Sequence, residues 1–388
     1  MIMRSKYWLL LLGLLFTPVL SEAKICTIDE VPAATLLLPY FEVDLDSANG
    51  MTTLLEINNA FTTPQVANVV IWSDLSVAVH NFNVLLDGLD IASINLRDVL
   101  NQPPTVGGGA GCVGDPASGQ LTQDIQDALT GRPVTGAGGV CFGVDHGDNI
   151  ARGYITVDVV DRCTEQIPGD PGYFLQGGSG VATNDNALWG NYYYVDPSEN
   201  LLFSETLVHI EADASDPETS TPGQYTFYGR YVGWTAADNR EPLATNFAAR
   251  YLQMGSTQTD FVVWRDSKRV IKPFLCGLGP PAVTFPLTLQ SSTILDETGN
   301  VDFPMLRSSF PWQTQRVLLD QLSFNAGWIF LDLNAVGALG NPPEDPGATQ
   351  NWVTPLVHQT GRFSVGYDAI QYDSACSANH MDPTHPGD

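Results

Sequence analysis

The strongest constraint on this chain is its punctuation: short apolar runs recur along it, closed by Asp, Asn or Gly. Residues 35–43 (TLLLPYFEV) and 52–57 (TTLLEI) flank the polar turn 44–50, and runs at 66–72, 77–86 and 91–96 follow, with Asp87-Gly88 between the last two. Runs of this length, rich in β-branched and aromatic residues and bounded by turn formers, read as strands. Their spacing suits an antiparallel sandwich. Helical segments do not alternate with them as a parallel α/β sheet requires. Residues 153–160, 202–212, 225–234, 261–264, 283–289, 316–322, 327–333 and 363–367 also read as strands. Between Asn239 and Met254 the reading stays ambiguous, because Leu243, Phe247 and Tyr251 also fit one face of a helix.

Residues 102–147 differ. The stretches GGGAG (107–111) and GAGG (136–139) surround one helix pattern, with Leu121, Ile125 and Leu129 on a common face and Gly131 placed to cap its end. No P-loop or dinucleotide fingerprint follows a strand here, so this stretch reads as an insertion rather than a phosphate cradle. The expectation is a mainly β chain with two antiparallel β-sandwich (immunoglobulin-like) domains. Residues 24–235 form the first, with the Gly-rich, partly helical insertion 102–147; residues 236–376 form the second, and 377–388 a flexible polar tail. Two motifs recur in the same order: VVIWSD (69–74) with FVVWRD (261–266), and GYITVD (153–158) with GWIFLD (327–332). They raise the expectation of an internal duplication.

Arg4 and Lys6 precede the apolar run 7–20, which is followed by Ser21-Glu22-Ala23. This is the pattern of a secretory signal peptide, residues 1–23, cut after Ala23. A spanning helix needs about 20 apolar residues, and this run is shorter and broken by Pro18. The expected location is therefore the periplasm, the cell surface or the extracellular medium, with no membrane span after signal removal. All six cysteines, Cys26, Cys112, Cys141, Cys163, Cys276 and Cys376, lie beyond that segment. An even count in an exported chain points to disulfides. Cys112 and Cys141 flank the Gly-rich insertion, and a bridge between them is the favoured pairing; the pairing of the other four stays open.

The chain carries 17 Lys+Arg against 43 Asp+Glu, a formal charge of −26, yet only 15 % of its residues are charged and 44 % are hydrophobic. Enough apolar surface is present to fill a core, which excludes a disordered chain. The acidity excludes a partner built on a phosphate backbone, so no nucleic acid is expected. Catalytic templates are missing: neither a G-x-S-x-G elbow nor an H-E-x-x-H helix occurs. His80 and His209 fall inside strand patterns and read as structural. A spatial triad or a carboxylate pair for glycoside hydrolysis leaves no local signature among so many acids. No cofactor other than calcium enters the reading; its candidates are Asp44, Asp46 and Asn49, an acidic turn resembling part of a calcium loop, with Asp145, Asp148 and Asn149 in a second acidic turn. The first turn is one residue out of register and lacks the distal Glu; ordinary Asx-turn chemistry explains both equally. The remaining signal is aromatic. Trp189, Tyr192 and Tyr194 are candidates for stacking on a ligand, and a strand there puts Tyr192 and Tyr194 on one face and Tyr193 on the other.

The segments CTIDEVPAATLLLPYFEVDLD (26–46), NVVIWSDLSV, INLRDVL, YGRYVGWTAADNREPLAT and FSVGYDAIQYDSAC resemble a group of uncharacterised exported bacterial proteins, over nearly all of the chain after residue 23. The resemblance implies export and carries no activity, cofactor or catalytic residue. The functional expectation is an exported, non-enzymatic surface or extracellular protein, an interaction module for an extracellular protein or glycan. A secreted hydrolase, acting on carbohydrate, is the alternative.

Overall fold

The computed structural model describes residues 30–107, 112–266, 272–278, 291–303, 313–318, 322–333, 350–359, 362–366 and 369–374. The expected signal segment 1–23, Cys26, the expected strand 283–289, Cys376 and the expected tail 377–388 lie outside these.

In the first half, the strands β1 (Thr35–Asp44), β2 (Thr52–Asn59), β3 (Gln65–Ser73), β4 (Ala78–Leu86) and β5 (Ile91–Asn95) come first. Then come α1 (Leu96–Asn101), β6 (Pro104–Val106), β7 (Val113–Pro116), α2 (Gly119–Leu129) and β8 (Val140–Cys141). The half closes with β9 (Ile150–Val160), β10 (Leu188–Asp196), β11 (Leu201–Thr206) and β12 (Val208–Ile210). A short helix α3 (Pro217–Ser220) lies in the connection. The second half has β13 (Ala244–Leu252), β14 (Thr257–Arg265), β15 (Phe274–Leu275), β16 (Ser291–Leu295) and β17 (Val301–Asp302). It ends with β18 (Thr314–Leu318), β19 (Ala326–Asp332), β20 (Asn351–Gln359), β21 (Phe363–Gly366) and β22 (Ile370–Ser374).

The fold is mainly β, as expected, and its sheets are antiparallel. The first half pairs a five-stranded sheet, β12-β1-β9-β3-β4, with a four-stranded sheet, β11-β10-β2-β5. Alternation along each strand sends one set of side chains between the sheets. Leu36, Val69, Ile71, Ile155 and Val157 from the larger sheet meet Leu55, Ile57, Leu188, Tyr192 and Tyr194 from the smaller in one buried cluster. The second half pairs β17-β16-β19-β13-β22 with β18-β14-β20-β21. Phe247, Ile294, Ile329 and Leu331 there meet Phe261, Val263, Val317 and Val353.

Read from its other edge, the second half repeats the first strand for strand: β22-β13-β19-β16-β17 answers β12-β1-β9-β3-β4, and β21-β20-β14-β18 answers β11-β10-β2-β5. Corresponding strands follow the same chain order in both halves. One recurring motif obeys this correspondence and the other does not. Gly153 on β9 and Gly327 on β19 hold matching places, and for one physical reason: a Cβ would meet the carbonyl oxygen of Trp72 on β3 or of Leu295 on β16, each at 1.9 Å. The counterpart strands therefore approach too closely for a side chain. Trp72 lies on β3, whereas Trp264 lies on β14, the counterpart of β2. The likeness of VVIWSD to FVVWRD is a likeness of strand chemistry, not of position.

Two local expectations are corrected and one ambiguity is resolved. Residues 225–234 form turns that lay Tyr225, Phe227 and Tyr228 over the first half, all of them buried. Left-handed backbone at Trp234, Ala236 and Asn239 (φ 61, 53 and 54°) curls this segment, which no strand permits. The ambiguous stretch 239–254 resolves as strand β13, because Phe247 and Tyr251 must alternate into a sheet core. The single expected strand 202–212 divides at Leu207 into β11 and β12, which belong to different sheets. In the insertion the helix expectation holds. Ser118 caps α2 by accepting from the Leu121 amide, Ile125 and Leu129 are buried, and Gly131 follows the helix at φ 73°.

The favoured Cys112–Cys141 bridge is not formed. Cys112 bonds Cys163, and Cys141 bonds Cys276. The insertion does not close on itself. One end is tied to the loop after β9, while β8 at the other end pairs with β15, setting Cys141 opposite Phe274 and beside Cys276. Among the described residues no helix is long and apolar enough to cross a membrane.

The outer face of the first five-stranded sheet is covered too. Leu37, Val70, Trp72 and Tyr154 pack with Tyr173, Phe174, Phe227 and Tyr228, and Trp264 and Trp352 from the second half complete this cluster. Here Trp72 stacks on Tyr154 (5.7 Å, 4°), and Tyr154 meets Trp264 edge-on at 5.9 Å. Arg230 pairs with Asp266 at 2.9 Å, with both side chains almost wholly buried, and donates to the Ser76 hydroxyl at 2.6 Å. The two halves are thus joined by aromatic packing, a buried ion pair and a disulfide.

Candidate functional site

Strand parity decides which aromatics face outward. Along β10, Leu188, Gly190, Tyr192 and Tyr194 are buried, while Trp189 is exposed and Asn191, Tyr193 and Val195 are half-buried. Tyr192 and Tyr194 therefore cannot stack on a ligand. Their rings pack on each other and on Phe203 in the first core, and the Tyr194 hydroxyl donates to the Tyr40 carbonyl at 2.7 Å. Of the three aromatic candidates only Trp189, 40 % exposed, stands free. Its partner along the strand is Tyr193, which the odd-numbered alternation identifies and which the adjacent Tyr pair masked.

Neighbouring strands complete this outer face of the four-stranded sheet. Ile91, Asn58 and Trp189 form one cross-strand row, and Ser93, Glu56, Asn191 and Thr206 the next. Asn95, Leu54, Tyr193 and Ser204 follow, then Thr52, Val195 and Leu202. None of these positions is Lys or Arg, and Glu56 is the one acid. The Tyr193 hydroxyl donates to Glu56 Oε2 at 3.3 Å. Burial, then the neighbouring Glu56 charge, raise the Tyr193 phenol above its ordinary range, so it stays a neutral donor. The face is a mostly uncharged platform of two ring systems among amides and hydroxyls.

The duplication shows what the matching face does elsewhere. Trp189 is the second residue of β10 and Trp352 the second residue of its counterpart β20. Trp352 is only 4 % exposed, because it belongs to the cluster that joins the halves. Among the described residues, the same sheet face is thus a docking surface in the second half, while in the first it leaves Trp189 exposed.

A second feature lies where the halves meet. Tyr194, Phe203, Arg316, Leu356, His358 and Ser364 line a crevice of about 10 Å³, room for about one water molecule and not for a small organic ligand. Asp260 Oδ2 accepts from Arg316 Nε at 2.7 Å and lies 3.1 Å from His358 Nε2. Burial pushes the Asp260 carboxyl up, but the His358 hydrogen bond and the Arg316 charge outweigh it and hold the group below its usual range. Glu42 lies 3.7 Å from Arg316 and 3.9 Å from Arg152 and accepts from the Tyr40 hydroxyl at 2.7 Å. Ser364 is the cross-strand partner of His358, yet its hydroxyl donates to the Leu202 carbonyl. The imidazole is turned to Asp260 instead, so these three residues are not arranged as nucleophile, base and orienting acid. These residues come from strands far apart in the chain, and no local motif announces them.

The remaining candidates make contacts within the fold. Asp44 Oδ1 accepts from the amides of Asp46 and Ser47, Asp46 accepts from Asn149, and the Asn49 amide donates to Ser47. This is an Asx turn whose carboxylates are already engaged. Among the described residues no three His, Cys, Asp or Glu side chains cluster as a metal would need. His80 lies 2.8 Å from the Pro104 carbonyl, and burial lowers the pKa of both His80 and His209. Asp158, fully buried, accepts from Thr35, Tyr173 and Tyr228 at 2.5, 2.9 and 3.0 Å. Burial raises its pKa against the pull of Arg240 and these hydroxyls. Arg240 bonds Thr35 and the carbonyls of Asp238 and Thr183, which fastens the 213–243 segment onto the sheet.

No family model, curated protein or solved structure matches this chain.

Proposed function

We propose that the protein is an exported, non-enzymatic binding protein whose recognition surface is the outer face of the β5-β2-β10-β11 sheet. One observation carries the reading: Trp189 is exposed at the strand position where its counterpart, Trp352, is buried as a docking residue. An aromatic kept at a docking position and left uncovered is the mark of a surface that awaits a partner. Two disulfides and an acidic, Lys/Arg-poor composition accord with life outside the cytoplasm. Glu42 and Asp260, the carboxylates beside the crevice, are held by Arg152, Arg316 and His358, which favours a structural part for them over general acid–base work.

The test compares purified wild-type protein with Trp189→Ala on an array of glycans and extracellular proteins, beside a broad hydrolase screen. The expected result is at least one bound ligand whose retention is lost in the variant at unchanged circular dichroism. Binding indifferent to Trp189, or turnover abolished by changing one crevice carboxylate, overturns the proposal.

A further inference from the structure

Resting on that reading, we infer that the occupant of this sheet face is a neutral polysaccharide chain, stacked on Trp189 and Tyr193 and hydrogen-bonded by the amides and hydroxyls between them.

Size comes first. With strands about 4.8 Å apart and about 3.4 Å of rise per residue, the four-stranded face from Trp189 to Val195 covers on the order of 300 Å². A stable protein–protein interface takes about 800 Å² from each partner, so this platform is too small to hold another folded protein by itself. It suits a narrow, extended ligand. Trp189 and Tyr193 are four residues apart on one strand, hence about 13–14 Å, a distance that a short run of linked pyranose rings spans. The apolar faces of such rings stack on indole and phenol, while their equatorial hydroxyls need donors and acceptors at the margins. Asn191, Glu56 and Ser93 supply these in the row next to Trp189, and Ser204 lies beside Tyr193.

Charge decides between classes of polysaccharide. Among the described residues, the cross-strand rows named above hold no Lys or Arg, and their one carboxylate, Glu56, already accepts from Tyr193. The whole chain carries −26. A uronate, sulfated or phosphorylated polymer would meet repulsion with no Lys or Arg to pair with it. An uncharged one meets none.

A second copy of this chain is the competing occupant, by analogy with the buried counterpart face. The surface that receives Trp352 and Trp264 is, however, built largely by Tyr173, Phe174, Phe227 and Tyr228. These come from connections at 161–187 and 211–243, between β9 and β10 and between β12 and β13, not from the repeated strands. Among the described residues, a neighbouring molecule's second half does not repeat that surface.

Affinity electrophoresis tests the inference. Wild-type protein, Trp189→Ala, Tyr193→Ala and Trp189→Phe are run through native gels holding hydroxyethyl cellulose, galactomannan or soluble β-glucan. Parallel gels hold alginate or polygalacturonate. Wild type is expected to be retarded by at least one neutral polymer, undiminished in about 1 M salt, and by neither polyanion. Each alanine variant is expected to weaken binding about ten- to a hundredfold, the loss expected for removing one buried ring, with Trp189→Phe intermediate. Passage through every neutral gel without retardation overturns the inference, as does retardation equal in wild type and both alanine variants. If a protein ligand on the array then depends on Trp189, the binding reading stands and only the glycan assignment falls. If no ligand of any class depends on Trp189, both fall.

Discussion

Replacing Cys141 and Cys276 together by alanine opens the covalent link between the insertion of the first half and the start of the second. The bridge closes a loop of 135 residues. By the chain-entropy relation, a loop of that length costs the unfolded ensemble about 5 kcal/mol at 25 °C. The corresponding figure for Cys112–Cys163, with a separation of 51, is about 4 kcal/mol. Local packing adds little, since the ladder between β8 and β15 has only two residue pairs. The assay is guanidinium unfolding without reductant, followed by far-ultraviolet circular dichroism and by tryptophan fluorescence. Trp72, Trp264 and Trp352, three of the eight Trp, share the cluster joining the halves, so the fluorescence signal includes that junction. If the halves unfold together, both signals shift to lower denaturant by the same amount. If the bridge is what couples them, the double variant separates the two transitions. A double variant within about 1 kcal/mol of wild type, with coincident signals, refutes the reasoning. So does titration of free thiols at Cys141 and Cys276 in the wild-type protein.

Other outcomes follow from particular contacts. Gly153→Ala and Gly327→Ala each push a Cβ onto the carbonyl of a neighbouring strand. Each is expected to cost about 1–3 kcal/mol, read from denaturation midpoints, and a neutral result at either glycine breaks their equivalence. Asp266→Ala leaves the Arg230 guanidinium buried without its 2.9 Å partner, and a loss of about 3–5 kcal/mol is expected. Replacing both residues by apolar ones should cost less, and an equal or larger loss would count against charge burial as the cause. Burial holds His80 and His209 below the ordinary imidazole value. The unfolded chain thus takes up protons that the folded chain refuses, and their contribution to stability, full above about pH 6.5, is lost on acidification below it. The variant His80→Gln/His209→Gln should show a shallower fall in melting temperature between about pH 7 and pH 5; an unchanged slope rejects this account.

Much of the architecture is legible from residue order because strand formation here is local. Residues 35–43, 52–57, 66–72 and 153–160 carry their own alternation and turn signals, and each lies within a strand. Errors arose where tertiary packing overrode local pattern. Residues 225–234 alternate like a strand, yet their aromatics fill the space above a sheet while left-handed residues turn the backbone. Trp72 and Trp264 carry similar motifs because both end apolar strands, not because they correspond. Half of the proposed recognition face was readable: parity along 188–196 already separates Trp189 and Tyr193 from Tyr192 and Tyr194. Which set points to solvent depends on where the second sheet lies.

By itself, then, the sequence determined a β chain of punctuated strands, a helical insertion, a charge unfit for polyanions, and the residues able to stack. These properties live in single segments, where alternation, turn chemistry and charge act without reference to the rest. Only the tertiary structure decided the disulfide pairing, the strand-for-strand correspondence of the halves, and which Trp of a matched pair is covered. Each of these depends on which distant segments meet. Trp189 and Trp352 have similar local settings, and only the packing of one half on the other leaves the first exposed and buries the second.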